Sequence, residues 1–237
     1  MTPIVFAGPS LHGLDLSALR GIDLAPPAGC GDVLRAARSG RKVIGLIDGS
    51  FESGPAIWHK EILYALAAGC NVAGASSMGA LRAAECEAFG MVGIGRVFAD
   101  YRDGRRVSDG DVALTHGPAE LDYVPLSVAL VDIEDGLERM REAGLLTRDR
   151  YHAALLTAGA MFFKERTWDR VFAAAGIDAA DIDRLTAWLE QSGPCVKARD
   201  AQLLLDWVVQ ARPASTTAGQ FASTHFFDQL QQRLGDG

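Results

Sequence analysis

Ala75-Ser76-Ser77-Met78-Gly79 places two hydroxyls in a run of small residues, between an apolar segment (Asn71–Ala75) and a helical one (Met78–Phe89). Small neighbours let a chain turn sharply from strand into helix. Such a turn exposes a serine hydroxyl and leaves backbone N–H groups free to hold an oxyanion. The competing reading is that Ser76 or Ser77 simply caps the helix, a role serine fills well. A serine nucleophile also needs a base. Lys60, in Trp58-His59-Lys60-Glu61, serves if it is neutral, which requires desolvation beside Trp58 or the positive ends of two helices to lower a reference pKa of about 10.4. An exposed lysine paired with Glu61 or Glu52 is the plainer alternative. His59 is the rival base. Successive residues on a helix point about 100° apart, so His59 and Lys60 are not both expected to face Ser77.

Other polar residues around this turn have ordinary readings first. Arg82 and Glu85, three apart on the following helix, are by default an ion pair. Asp48 ends an apolar run and either orients Lys60 or makes an Asx-turn with Gly49 and Ser50. Gly79 keeps the turn small. His116, ahead of Gly117-Pro118, is a loop histidine with no local partner. Cys70 and Cys86 fall at core positions and read as small buried hydrophobes. The four cysteines and five histidines are scattered, without metal-ligand spacing, so no metal is expected. Gly93-Ile94-Gly95-Arg96-Val97-Phe98 lacks the third glycine of a dinucleotide loop, so no nucleotide cofactor is expected.

The elements that would position these residues alternate at first. Pro3–Ala7, Val43–Ile47 and Asn71–Ala75 read as strands, and Gly31–Ser39, Ala56–Ala68 and Met78–Phe89 as helices. Strand, helix, strand implies a parallel sheet with right-handed crossovers. Ligands gather at the carboxyl edge of such a sheet, which here collects Gly8–Ser10, Asp48–Glu52, Lys60 and Ala75–Gly79. Residues 91 to about 135 show no clear element, except that Leu121–Pro125 looks extended. From about 136 the spacing is helical: Leu137–Ala143, Asp149–Lys164, Ala180–Gln191, Ala198–Ala211 and Phe221–Leu234, with Pro213–Thr217 a linker-like break. The expectation is an α/β unit at 1–135 followed by an all-helical region at 136–237.

Composition narrows the function. A net charge of −7 argues against coating nucleic acid or anionic membrane. No apolar run reaches about 18 residues, and Met1–Phe6 lacks the regions of a signal peptide, so a soluble cytoplasmic protein is expected. Of 23 basic residues only four are lysines (Lys42, Lys60, Lys164 and Lys197), and the topology puts only Lys60 on the rim that holds the turn serines.

Asp48-Gly49-x-Phe51, His59-Lys60-Glu61-Ile62-Leu63 and above all Gly74-Ala75-Ser76-Ser77-Met78-Gly79-Ala80-Leu81-Arg82-Ala83-Ala84-Glu85, followed by Phe89-Gly90-Met91-x-Gly93-x-Gly95, resemble the core of the TfuA family. Asp109–Val112 and His116 continue the likeness, which covers roughly residues 4 to 135; Cys86 stands where an apolar residue is usual. The resemblance implies a partner of YcaO enzymes in peptide-backbone thioamidation. Such a protein hydrolyses the C-terminal thiocarboxylate of a ThiS-like sulfur-carrier protein and releases sulfide beside the YcaO and its precursor peptide. It further implies a Ser–Lys pair, carried over as Ser77 and Lys60 with Ser76 as second choice, and no cofactor. Arg82 would anchor the carrier's terminal charge, and N–H groups of Ser77–Gly79, with the Gly8–Ser10 loop, would hold the oxyanion. Two other classes stay open: a non-catalytic adaptor for YcaO, and a generic serine esterase or amidase.

Overall fold

The computed structural model describes residues 1–17, 19–52, 54–212 and 221–235. Five short strands, β1 (Ile4–Phe6), β2 (Asp23–Ala25), β3 (Val43–Leu46), β4 (Asn71–Ala75) and β5 (Val92–Ile94), form one parallel sheet in the order β2-β1-β3-β4-β5. This is a doubly wound order, whose switch point lies between β1 and β3. Helices α1 (Asp32–Arg38), α2 (His59–Ala67), α3 (Met78–Cys86) and α4 (Gly95–Arg102) follow β2, β3, β4 and β5 in turn. The α/β character expected of the N-terminal part is what the chain adopts, and the helical character of the remainder as well.

Alternation along the strands divides the side chains between two faces. Phe6, Ile44, Leu46 and Val72 pack with Val33, Ile62, Ala65, Ala80 and Val97 of α1 to α4. Val5, Ala7, Val43, Ala73 and Ala75 face the other way, where among the described residues no α-helix of the N-terminal part lies; the described part of the β1–β2 connection carries a 3₁₀ turn at Pro9–Leu11. That face is covered by α9 (Val196–Gln210), through Ala201, Leu204, Leu205 and Val208. Gly45 makes room for it: a Cβ there would lie 2.8 Å from Leu204 Cδ2. Packing therefore crosses residue 136, since a helix of the second region completes the sheet of the first.

The remaining helices, α5 (Leu130–Glu142), α6 (Arg148–Ala160), α7 (Trp168–Ala174) and α8 (Ala179–Gln191), enclose a second core around Ile133, Leu137, Met140 and Phe172. Helix α10 (His225–Gly235) buries Phe227 against Tyr64 of α2 and Phe221. No helix among the described residues is long and apolar enough to cross a membrane.

Several elements depart from expectation for local reasons. The segment after 91 holds β5 and α4. The strand is three residues long with a glycine at its centre, too short to show a period of two. That glycine is required, because a Cβ on Gly93 would fall 2.0 Å from the Phe98 ring of α4. Strand β2 and helix α7 are also short additions, and α5 begins seven residues before the predicted Leu137. Leu121–Pro125 is not extended: a 3₁₀ turn at Ala119–Leu121 leads into Asp122 and Tyr123, both at positive φ (49° and 52°). The predicted break at Pro213–Thr217 lies outside the described residues.

Helix α3 meets the sheet almost without a gap. A Cβ on Gly79 would lie 1.8 Å from the Leu46 carbonyl oxygen, and one on Gly74 would lie 2.0 Å from that of Gly79. Both obstacles are backbone, so neither can swing aside. Gly79→Ala is expected to destabilise the fold by at least about 3 kcal/mol, at or beyond the upper end of ordinary overpacking. Chemical denaturation of the variant measures this; a loss below about 1 kcal/mol would contradict the close approach.

Candidate active site

The turn from β4 into α3 has the shape that small residues permit. Ser76 follows the strand at φ 68°, a left-handed conformation that costs a non-glycine residue about 1–2 kcal/mol. It is fully buried, and its Oγ has no hydrogen-bond partner among the described residues. Ser77 is the N-cap residue of α3, yet its side chain makes no capping bond. The simple cap reading of these serines therefore fails for both hydroxyls. Ser77 is 8% exposed, the more open of the two.

Backbone donors around the turn are mostly taken. Ser77 N–H donates to Ala75 O (2.8 Å) and Gly79 N–H to Ile47 O (3.1 Å). Met78 N–H lies between them at the start of α3, where no intrahelical acceptor exists. The Gly8–Ser10 loop offers no spare donor, because Asp48 collects it: Asp48 Oδ2 accepts from Gly8 N (2.9 Å) and Ser10 N (3.0 Å), and Oδ1 from Ser10 Oγ (2.7 Å). Asp48 thus neither orients Lys60 nor makes an Asx-turn with Gly49 and Ser50. It ties the carboxyl end of β3 to that of β1, across the switch point.

Lys60 occupies the first turn of α2, where its Nζ donates to Ala222 O (2.7 Å) and lies 5.4 Å from the centre of the Phe221 ring. No hydrogen bond joins it to Ser77 among the described residues, and it pairs with neither Glu61 nor Glu52. Glu52 binds Lys164 (2.7 Å). Glu61 is fully buried and accepts from Gly31 N (2.8 Å), Leu34 N (3.4 Å) and Trp58 N (3.0 Å), so one carboxyl group serves the starts of both α1 and α2. Burial pushes the Glu61 carboxyl above its ordinary range against the pull of these N–H groups.

The structure does bring three of the predicted residues together. His59 Nε2 lies 2.8 Å from Glu85 Oε2, which also accepts from Arg82 Nη1 at 2.6 Å. Arg82 Nε donates to Ile57 O (3.2 Å). Along the exposed side of α3, Met78, Arg82 and Glu85 line a cavity of about 400 Å³ opposite Ser50, Phe51 and Val107. His116 is engaged elsewhere, with Nδ1 at Gly117 O (2.7 Å) and its ring against Tyr123.

Lys197 is the residue whose place the sequence did not disclose. It belongs to the helical region, but α9 returns it to the carboxyl side of the sheet, where it is 2% exposed with Nζ on Val112 O (2.9 Å). Asp200, on the same turn, caps α4 through Arg96 N (3.0 Å) and Val97 N (2.8 Å). The helical spacing of Lys197 with Ala201, Leu204 and Val208, which puts the lysine on the apolar face of α9, was the available signal. No cluster of His, Cys, Asp and Glu among the described residues is arranged to hold a metal ion.

A family model described as TfuA-like protein matches residues 48–167, half of the chain, from the carboxyl end of β3 through the β4–α3 turn to the start of α7. The chain belongs to the TfuA-like family. No curated protein matches it. The family match contains Asp48, Lys60, Ser76, Ser77, Arg82, Glu85 and His116, and leaves β1, α1 and α9 outside.

Burial raises the Glu85 carboxyl, but hydrogen bonds from His59 and Arg82 outweigh it and hold the group below its ordinary value of 4.5. A depressed carboxylate contributes stability that is present above the unfolded-state value and is lost as pH falls through the folded-state one. Thermal melts of wild type and Glu85→Gln should therefore differ most at neutral pH and converge as pH falls below the ordinary carboxyl value of 4.5 and through the lower folded-state one. A difference independent of pH would contradict the ion-pair cluster.

Proposed function

We propose that this TfuA-like protein works with a YcaO enzyme in peptide-backbone thioamidation, in the cytoplasm, by hydrolysing a thiocarboxylated ThiS-like sulfur-carrier protein. The observation that carries the reading is the β4–α3 turn: a strained serine beside a second serine whose hydroxyl is not used as a helix cap. Family membership supports the YcaO-associated role.

In this reading Ser77 Oγ attacks the thiocarboxylate carbon, and Lys60 in its neutral form accepts the hydroxyl proton. The tetrahedral oxyanion collapses as the Lys60 ammonium passes its proton to the departing sulfur, which leaves as hydrosulfide, a weakly basic leaving group; an acyl-Ser77 ester and a neutral Lys60 remain. Lys60 then takes a proton from water, whose attack on the ester frees the carrier carboxylate, and returns that proton to the departing Ser77 oxygen. Met78 N–H, at the positive end of α3, is the donor for the oxyanion. Neither Ser77 N–H nor Gly79 N–H is offered for that role, since both have acceptors already. In this reading Lys60 must exchange the Ala222 carbonyl for the serine hydroxyl. Arg82, at the edge of the cavity beside Met78, faces the path of an extended carrier tail with the guanidinium N–H groups that Glu85 and Ile57 do not use.

One observation favours a second reading. Lys60 is bound to Ala222 rather than to Ser77, as expected of an adaptor that binds YcaO and its precursor peptide without catalysis. Sulfide release from a thiocarboxylated carrier separates the two. The enzyme reading expects Ser77→Ala and Lys60→Ala each to lose at least about a hundredfold in rate; full release by both variants would leave only the adaptor.

A further inference from the structure

A cavity of about 630 Å³ lies between the sheet's carboxyl edge and the helical region. Pro9 and Ser10 form one wall, at the β1/β3 switch point where open α/β sheets bind ligands. Lys197, Arg139 and Thr186, from α9, α5 and α8, are among the residues of the opposite side.

These three share a deficit of acceptors. Lys197 is a buried side chain with three N–H donors and one partner, Val112 O. Among the described residues no carboxylate lies within ion-pair distance of its Nζ; Asp132, beside it, receives the Lys197 backbone N–H instead (3.0 Å). Arg139 is ion-paired with Asp135 and its Nη1 donates to Ser192 O (3.0 Å) and Oγ (3.1 Å), but its buried Nε, 3.1 Å from Asp135 Oδ2 and out of line with it, makes no hydrogen bond among the described residues. Thr186 Oγ1 is buried without a partner among the described residues. An unpaired buried cation is among the costliest groups a fold can hold, and native proteins seldom keep one without a use. Three under-satisfied donors on one cavity call for an acceptor that bears negative charge.

We propose that this cavity is a binding site for a monoanionic carboxylate, held by Lys197 with Arg139 and Thr186 as further donors. Single charge follows from the wall itself, where Asp15, Asp132 and Glu190 are also present and would repel a dianion. The volume accommodates more than a two-carbon acid, so the carboxylate is either free or the C-terminus of a short, unbranched peptide segment. The site is separate from the Ser77 chemistry and does not depend on it.

Isothermal titration of the full chain with acetate, glycylglycine, glycylglycinamide and inorganic phosphate tests this. Binding of glycylglycine, with the amide and phosphate at least about tenfold weaker, is the expected result; acetate binding as well as glycylglycine would assign the site to free carboxylates. Equal binding of the amide, or no binding of either carboxylate, overturns the proposal without recourse to any variant. Lys197→Met supplies the second readout. It should lose at least about thirtyfold in carboxylate affinity while its Tm stays at or above that of wild type, because an apolar side chain of similar length relieves an unpaired buried charge. A lysine kept only for structure would give the reverse: a lower Tm in Lys197→Met and no carboxylate binding by wild type.

Discussion

Helix α3 starts directly beneath the carboxyl end of β3, so close that Gly79 has backbone where its side chain would be, and Gly74 has Gly79 in the same relation. Much of the site geometry depends on this contact. Because α3 cannot rise away from the sheet, the two residues that link it to β4 must turn within a very short span. Ser76 takes the left-handed conformation that such a turn demands, although glycine would adopt it at lower cost. Ser77 is thereby set at the helix start with its hydroxyl free of capping, and Gly79 N–H is fixed on Ile47 O. A fold that needed only a cap at this point could have used a relaxed turn.

Around this contact the carboxyl edge is organised by buried acids that bind backbone rather than basic side chains. Asp48 gathers the Gly8–Ser10 loop, Glu61 serves the starts of α1 and α2, and Asp200 serves α4. Each satisfies N–H groups that a helix start or a tight loop leaves without acceptors, and each joins two elements distant in sequence. The rim is rigid for this reason. Rigid scaffolds hold reacting groups to the tolerances that catalysis requires.

The helical region has two roles. Helices α5 to α8 form their own core, whereas α9 leaves that core to cover the bare face of the sheet. Its first turn therefore lands at the carboxyl edge and carries Lys197 and Asp200 with it. The joint between the two regions, where the 630 Å³ cavity lies, is made of residues from both, and most of them fall outside the family match.

Some of this was legible in the sequence. A continuous apolar run at Val43–Ile47 and a small strand at Asn71–Ala75, separated by helical spacing closed by Gly69, are enough to imply a parallel α/β unit, because burial on both faces removes polar alternation. The run Gly74–Glu85 disclosed the turn and its serines, since only small residues tolerate that path. Short elements such as β2 and β5 escaped, because three residues cannot display a period. Contacts between distant segments escaped entirely. No local pattern indicates that Lys60 meets Ala222, that Asp48 binds the loop after β1, or that the chain returns after residue 196 to bury a lysine at the switch point. Those are decided by which faces need covering once the sheet has formed, a demand that belongs to the assembled layers and to no single stretch of the chain.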